Sequence, residues 1–191
     1  MSEKENKTRC DWVILNDPLY VQYHDKEWGK PVKDDATQFE FLVLESFQAG
    51  LSWRTILSKR ENFRKAFDQF NYKKIADYHE DKIQGLLQDS GIIRNQLKIR
   101  AAVNNAQKFQ EIQKDFGSFT NYIWGFTHNQ VIYGNWKNIS EVPASTELSD
   151  KISKDLKKRG FKFLGSTTIY AHLQATGIVN DHLISCFCYK N

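Results

Sequence analysis

Apolar residues recur every three or four positions along most of the chain, and this spacing predicts amphipathic helices. Short polar residues and glycines mark where these helices begin and end, and only 3 prolines interrupt the pattern. One segment, residues 130–138, is instead typical of a short β-hairpin. The pattern therefore predicts an all-α protein with helices over residues 35–50, 54–70, 75–88, 95–114, 146–158 and 166–176.

One carboxylate interrupts the apolar stretch that leads to Gly50. Asp35 followed by Gln38 predicts a capping box at the start of this helix, and Glu45 has largely apolar neighbours one turn away on either side. A buried, unpaired carboxylate is costly, so Glu45 should be paired, hydrogen-bonded or protonated. Beside a cleft it becomes a candidate for chemistry, and an equally good interpretation is a structural glutamate bonded to a backbone amide or a tyrosine.

Length and composition indicate one folded domain. The 191 residues can bury a core, and aromatic residues make up 14% of the chain, which excludes disorder. We predict a polar N-terminal tail over residues 1–9 and a single domain over residues 10–191. The N-terminus lacks the apolar stretch of a signal peptide, and no run approaches the roughly 18 apolar residues of a membrane span. We therefore expect a cytoplasmic monomer without membrane contacts.

Two pairs of cysteine and histidine lie near opposite ends of the chain. Cys10 and His24 form one pair, and His182 and Cys186, four residues apart, form the other. Two thiolates and two imidazoles suit tetrahedral Zn²⁺ in a closed, structural site that would join the two ends. Cys188 competes for the fourth place, and helical spacing from His182 favours Cys186. The alternative is that these are ordinary buried residues, because the spacing matches no compact zinc finger.

A basic loop over residues 157–167 joins two predicted helices. Backbone amides at the start of a helix carry partial positive charge and can bind a phosphate, and the net charge of +4 is compatible with a polyanionic partner. The pattern looks like a helix-hairpin-helix, although Phe163 stands where such hairpins usually repeat a glycine. The alternative is an ordinary helix connection. The candidate DNA contacts here are Lys158, Arg159, Lys162, Gly165 and Ser166.

Aromatic residues lie in sequence on both sides of the helix that carries Glu45. Together with the acid, Tyr20, Tyr23, Trp28 and Trp53 can line a slot for a flipped nucleobase, which enzymes hold by stacking and by hydrogen bonds to its edge. The alternative is that these rings belong to the core.

With these motifs the chain resembles the constitutive, type I class of bacterial 3-methyladenine DNA glycosylases. The resemblance runs from Cys10 through Tyr189. Its motifs are Asp17-Pro18-Leu19-Tyr20, Tyr23-His24-Asp25, Glu27-Trp28-Gly29, Gln48-Ala49-Gly50-Leu51-Ser52-Trp53, Lys157-Lys158-Arg159-Gly160-Phe161-Lys162-Phe163 and Asn180-Asp181-His182.

The resemblance implies a helix-hairpin-helix glycosylase fold with a structural zinc on Cys10, His24, His182 and Cys186. It also implies hydrolytic excision of 3-methyladenine from alkylated double-stranded DNA, which leaves an abasic site and releases the free base. The family's base-binding acid falls on Glu45, its stacking indole on Trp53, and further pocket positions on Tyr20, Tyr23 and Trp28.

Two further positions bear on a base-flipping mechanism. Leu51, at the tip after Gly50, is a candidate wedge for the gap that a flipped base leaves. The aspartate that most of the wider superfamily uses would fall near Ser185, and Asp181 lies somewhat early, so we assign Asp181 no catalytic role. The competing hypotheses are a zinc-stapled DNA-binding module without catalysis and a helical interaction protein.

Overall fold

A computed structural model of the chain describes residues 7–190. Within this range it contains nine α-helices and one pair of two-residue strands. The first six residues of the predicted tail lie outside the described part. The helices are α1 (Pro18–Lys26), α2 (Asp35–Gln48), α3 (Trp53–Ala66), α4 (Tyr72–Ala76), α5 (Glu80–Gln88), α6 (Gln96–Phe116), α7 (Phe119–Gly125), α8 (Glu147–Lys158) and α9 (Ser166–Ala175), and the strands are β1 (Ile132–Tyr133) and β2 (Val179–Asn180).

The prediction of a mostly helical protein is confirmed, with differences at the ends of elements. The helix predicted over 54–70 ends at Ala66 and is followed by a 3-10 turn at Asp68–Phe70. The helix predicted over 75–88 is two helices, α4 and α5. Helix α1 was not predicted, although Asp17 caps it and Pro18 occupies its first turn, both ordinary start signals.

The predicted β-hairpin over residues 130–138 is wrong. Ile132 and Tyr133 pair in parallel with Val179 and Asn180. The amide of Gly134 continues this pairing by donating to the carbonyl of Asn180 at 3.1 Å. The strand partner therefore comes from a distant part of the chain, and a local pattern could not identify it.

Helix α2 occupies the centre of the molecule, where it contacts α3, α6, α7 and α9. It is capped by Asp34, which accepts from the amide of Thr37 at 2.8 Å, so the predicted capping box at Asp35 is wrong. Asp35 instead accepts from the amides of Phe119 and Thr120 at 3.0 and 2.8 Å, which fixes the start of α7. The core that surrounds α2 is built largely from phenylalanine, leucine and isoleucine.

A tight turn after α2 joins it to α3. Gly50 in this turn has a φ of +82°, a left-handed conformation that glycine adopts at little cost. Leu51 follows it with 40% of its surface exposed, and Ser52 then caps α3. The turn thus presents an apolar side chain to solvent less than two helical turns beyond Glu45. Over residues 7–190, none of the helices is both long and apolar enough to cross a bilayer.

Candidate active site

A cavity of about 430 Å³ opens between α1, α2, α3, α9 and the loop that follows β1. Aromatic side chains form much of its wall, and all five residues predicted to bind a base lie on it. Its lining consists of Trp12, Tyr20, Tyr23, Trp28, Glu45, Gln48, Trp53, Ile139, Val142, Pro143, Ala144, Thr167, Tyr170, Ala171, Gln174 and Asp181.

The ring of Trp53 is held in place by other rings. Its centroid lies 5.3 Å from that of Tyr23 and 6.5 Å from that of Phe41, with the Phe41 ring nearly parallel. Asp17 connects the two helices that carry Tyr20 and Trp53, because it caps α1 and accepts from Nε of Arg54 at 2.6 Å. Trp53 is half-buried, so its indole is rigidly supported and can still contact a molecule in the cavity.

Glu45 is a buried acid without a protein partner for one of its oxygens. The residue is 4% exposed, and Oε2 has no hydrogen-bond partner among the described residues. Burial raises the pKa of Glu45 to about 8, so the folded protein holds this group as a neutral acid at neutral pH. The structural interpretation, a glutamate bonded to an amide or a tyrosine, therefore does not account for Oε2.

This environment leads to a pH-dependent stability. The pKa of Glu45 is near 4.5 in the unfolded chain and about 8 in the folded protein, so the unfolded chain loses this proton at lower pH. The free energy of unfolding therefore falls as the pH rises from about 4.5 to about 8. We expect Glu45→Gln, which lacks this ionisation, to gain on the order of 3 kcal/mol relative to the parent between pH 5 and pH 8. Urea unfolding of both proteins across this range measures the effect. A constant difference would show that Glu45 is ionised in the folded state.

A second acid, Asp181, lies in the cavity wall opposite α2 and, unlike Oε2 of Glu45, its carboxylate oxygens have hydrogen-bond partners. Asp181 is 2% exposed and accepts hydrogen bonds from Nε1 of Trp136 at 2.8 Å, from Nε2 of Gln174 at 2.7 Å and from the hydroxyl of Tyr170. A side chain at Gly134 would overlap both Trp136 and Asp181, so only glycine fits there. The cavity thus contains one carboxyl group with three donors and one, Glu45, with an unpaired oxygen.

Behind the aromatic wall lies a cluster of thiols and imidazoles. One ligand atom each from His24, His182, Cys186 and Cys188 lies within 4.8 Å of the others, and all four residues are buried. Cys10 lies beside this cluster, and its Sγ accepts a hydrogen bond from the amide of Leu183 at 3.4 Å. The neighbouring Cys186 thiol raises the pKa of Cys10, and Cys10 lowers the pKa of Cys186. The structure therefore groups three of the predicted ligands, His24, His182 and Cys186, with Cys188, and the fourth predicted ligand, Cys10, lies beside this group. His182 and Cys186 lie in irregular backbone after β2 and not on the predicted helix.

Neighbouring groups orient both imidazoles toward the sulfur atoms. Nδ1 of His24 lies 2.8 Å from an oxygen of Asp25, and Nδ1 of His182 lies 2.9 Å from Oδ1 of Asn180. In each ring Nδ1 is thus the protonated nitrogen and Nε2 keeps its lone pair. Nε2 of His182 is buried without a partner in residues 7–190, and burial lowers the pKa of His182 to about 4. This donor set fits a thiophilic divalent cation.

The cluster and the cavity share a wall. The indole of Trp28, which lines the cavity, packs edge-on against His182 with centroids 4.6 Å apart. Trp12 contacts Trp28 and Tyr20, with centroids 5.0 and 5.4 Å apart. When the residues of the cluster are held in fixed positions, they therefore also hold the wall of the cavity that Trp28 forms. Arg9, at the end of the predicted tail, is also fixed, because it pairs with Asp25 at 2.7 Å.

The basic loop lies between α8 and α9. Lys158, Lys162 and Gly165 are exposed, and Ser166 is half-buried at the start of α9. Phe163, at the position where a glycine was expected, has a φ of +57° and is 42% exposed.

Arg159 has a different environment from its neighbours in this loop. Its side chain pairs with Asp155 at 2.8 Å and with Asp115 at 3.1 Å. Because these contacts direct the guanidinium to other parts of the protein, we leave Arg159 out of the proposed DNA contacts.

Sequence reasoning missed several residues of the cavity. Gln48 lies one helical turn after Glu45, and Tyr170 and Gln174 lie one turn apart on α9, so helical spacing could have suggested them. Trp12 and residues 142–144 gave no such signal, because only the tertiary fold brings them to the site.

Comparisons with known proteins agree on one family. A family model described as methyladenine glycosylase matches residues 12–189. DNA-3-methyladenine glycosylase 1 of Escherichia coli (strain K12) is 47% identical over 181 residues, which are 95% of this chain and 96% of that protein.

Solved structures give the same result. A crystal structure of 3-methyladenine DNA glycosylase I superposes with a TM-score of 0.92 at 46% identity, over 95% of this chain and 100% of the other. A variant of 3-methyladenine DNA glycosylase I, solved in complex with 3-methyladenine, gives a TM-score of 0.90 at 35% identity, over 92% of this chain and 95% of the other.

Proposed function

Because the chain belongs to the methyladenine glycosylase family, we propose that it is a monofunctional DNA repair glycosylase. It flips 3-methyladenine out of alkylated duplex DNA, hydrolyses the N-glycosidic bond and leaves an abasic site. The observation that carries this proposal is a cavity walled by aromatic rings in which one buried acid has an oxygen without a protein partner. A residue with only a structural role would fill such a space or pair its polar atoms.

The chemistry of the lesion suits this cavity. Methylation at N3 leaves adenine cationic while it is attached to the sugar, so the glycosidic bond is already weakened and the base departs neutral. Strong acid catalysis is therefore unnecessary, and selection depends on binding. An aromatic ring attracts a cation more strongly than it attracts neutral adenine, and a carboxylate accepts hydrogen bonds from the edge of the base.

Glu45 serves both as the recognition group and as the catalytic residue in this proposal. A cationic base beside it favours the carboxylate form, which opposes the effect of burial on the pKa of Glu45. The resulting negative charge also stabilises the positive charge that develops on the sugar as the bond breaks, and water completes the hydrolysis. Trp53, with Tyr20, Tyr23 and Trp28, supplies the stacking surfaces.

We further propose that α8, the basic loop and α9 form a helix-hairpin-helix that binds the DNA backbone. Gly160 and Phe163 both have positive φ angles, as in a tight hairpin, and Gly165 begins α9 without a side-chain cap. The amides at the start of α9 are therefore available for a phosphate. Lys158 and Lys162 supply exposed positive charge.

Leu51 is proposed to fill the gap that the flipped base leaves in the duplex. We expect Leu51→Ala to weaken binding to abasic-site DNA by about tenfold, because an apolar wedge of this size is lost. Binding of free 3-methyladenine should not change, since Leu51 does not line the main cavity. Fluorescence anisotropy and calorimetry measure the two affinities. Unchanged binding to abasic DNA would exclude Leu51 as the wedge.

We propose that Cys10, His24, His182 and Cys186 hold a structural Zn²⁺ and that Cys188 lies beside it. The oriented imidazoles, the unpaired Nε2 of His182 and the approach of Cys186 Sγ to Nε2 of His24 at 3.5 Å support this assignment. A zinc ion at this position would tie the segment before α1 to the residues that follow β2. It would thereby stabilise the wall that carries Trp28.

Loss of one proposed ligand should remove the metal. We expect His182→Ala to lower the zinc content from one to less than about a tenth per chain, and the midpoint of thermal unfolding to fall by about 5–10 °C. Elemental analysis and calorimetry measure both quantities. As a matched control, His79→Ala, at an exposed position before α5 where the side chain makes no cap hydrogen bond, should leave both unchanged. Full zinc content in His182→Ala would contradict the proposed ligand set.

The remaining parts of the proposal concern organisation and location. We propose that residues 10–191 form one glycosylase domain and that the protein acts as a monomer. Because all three cysteines lack disulfide partners and are buried, a reducing compartment such as the cytoplasm suits the chain.

A direct test of the pocket is a fluorescence titration with the free base. Stacking of free 3-methyladenine on Trp53 should quench the protein's fluorescence in a saturable way. The absence of any response to 3-methyladenine would contradict the proposed binding site.

A further inference from the structure

A cluster of charged side chains connects the three helices that carry the proposed stacking rings. Its centre is Arg60 on α3, which is 8% exposed. Nη1 of Arg60 donates to Oε2 of Glu27 at 2.5 Å, and Nε donates to Oε1 of Glu40 at 2.5 Å. Because Glu27 directly follows α1 and Glu40 lies on α2, one guanidinium joins α1, α2 and α3.

We propose that Arg60 is a positioning residue for base recognition, which holds the aromatic rings of the cavity in their binding arrangement before a base enters. The inference rests on the proposed function, because these are the rings that we propose stack on 3-methyladenine. Arg60, Glu27 and Glu40 do not line the cavity, so Arg60 acts through the residues that it holds.

One route from Arg60 to the cavity passes through Phe41. The guanidinium carbon lies over the Phe41 ring, 5.1 Å from its centroid. The same ring lies nearly parallel to that of Trp53, with centroids 6.5 Å apart. Phe41 directly follows Glu40 on α2, so the ion pair with Glu40 fixes the backbone that carries Phe41. A shift of α2 against α3 would therefore also move the ring that supports Trp53.

A second route passes through the end of α1. The amide of Glu27 donates to the carbonyl of Tyr23 at 3.0 Å, and the next residue, Trp28, lines the cavity. The ring of Tyr23 lies 5.3 Å from that of Trp53. The bond from Arg60 to Glu27 therefore fixes the segment that carries two of the proposed stacking rings.

The choice of residue type supports a positioning role. A buried ion pair adds little net stability, because the lost hydration of the charges offsets their attraction, and packed apolar residues often serve as well. A planar guanidinium adds direction, since its N–H groups hold two carboxylates at set positions. Lysine carries the same charge on a flexible chain and does not reproduce this geometry. Fixed geometry is what rigid stacking surfaces need.

The test separates positioning from stability with two variants. Arg60→Lys keeps the charge and loses the planar fork. The triple variant Glu27→Gln, Glu40→Gln, Arg60→Met removes the three linked charges together, so none of them is left unpaired in the interior. Arg100→Lys is the matched control, because Arg100 pairs with Glu80 between α6 and α5 and does not line the cavity.

Each protein is titrated by calorimetry with free 3-methyladenine and with undamaged duplex DNA, well below its midpoint of thermal unfolding. We expect both Arg60 variants to bind the free base about tenfold more weakly than the wild type, with affinity for undamaged duplex changed by less than about twofold. Arg100→Lys should bind the base as the wild type does. If Arg60→Lys does not fold, the triple variant decides the question alone.

A merely structural role would lower the midpoint of unfolding and leave the affinity of the folded protein unchanged. Wild-type affinity for the free base in the folded Arg60 variants would therefore overturn the positioning role and leave the proposed function intact. A wild type that neither binds nor releases 3-methyladenine would contradict the proposed function itself.

Discussion

Replacing Glu45 by glutamine is expected to lower the single-turnover rate of 3-methyladenine excision by about 10²–10³-fold, because one preorganised charge at the reacting centre is lost. The amide has the same size as the carboxyl group and cannot become negative beside a cationic base. Since Glu45 is held neutral by burial in the free protein, the substitution should not destabilise the fold at neutral pH. Loss of activity together with unchanged or increased stability is the expected combination.

A matched control separates this effect from a general loss of negative charge. Glu61→Gln changes an acid on α3 whose side chain is 71% exposed and which lies outside the cavity. This variant should excise at the wild-type rate. Full excision by Glu45→Gln would remove Glu45 from the mechanism, whereas an unfolded Glu45→Gln protein would contradict the neutral state that we assign to it.

The second large effect concerns the stacking surface. Trp53→Ala is expected to weaken the binding of free 3-methyladenine by about 10–100-fold, because stacking of one base on an aromatic ring contributes roughly 1–3 kcal/mol. The affinity should be measured by calorimetry, since the substitution removes the tryptophan whose fluorescence the base is expected to quench.

Trp53→Phe is the matched control for this prediction, because it keeps an aromatic ring beside Tyr23 in the wall of the cavity. It should recover most of the affinity that alanine loses. If alanine and phenylalanine variants bind the base as tightly as the wild type does, Trp53 belongs to the core and another ring provides the stacking.

Local sequence signals predicted the parts of this structure that depend on local chemistry. The spacing of apolar residues predicted α2, and the position of Glu45 within an apolar stretch indicated a buried acid that needs a partner. The resemblance to a family then gave roles to Trp53, which lines the cavity, and to four proposed metal ligands, of which His24, His182 and Cys186 lie close together with Cys188. Asp17 and Pro18 are also ordinary sequence signals for the start of α1, but this helix was not predicted.

Other features depend on contacts between distant segments, which no local pattern contains. Asp35 has the sequence context of a helix cap, yet tertiary packing places its carboxylate at the start of α7. The strand β1 pairs with residues 47 positions further along the chain. Trp12 and Val142 reach the cavity only because the segments before α1 and before α8 fold over it.

The most direct test of the account is identification of the bases that the protein releases from methylated duplex DNA, separated by chromatography and compared with the Glu45→Gln and Trp53→Ala variants. We expect the wild type to release 3-methyladenine and no unmodified adenine, and both variants to release it far more slowly. Methylated DNA that retains all its 3-methyladenine in the presence of the folded, zinc-loaded wild type would contradict the account.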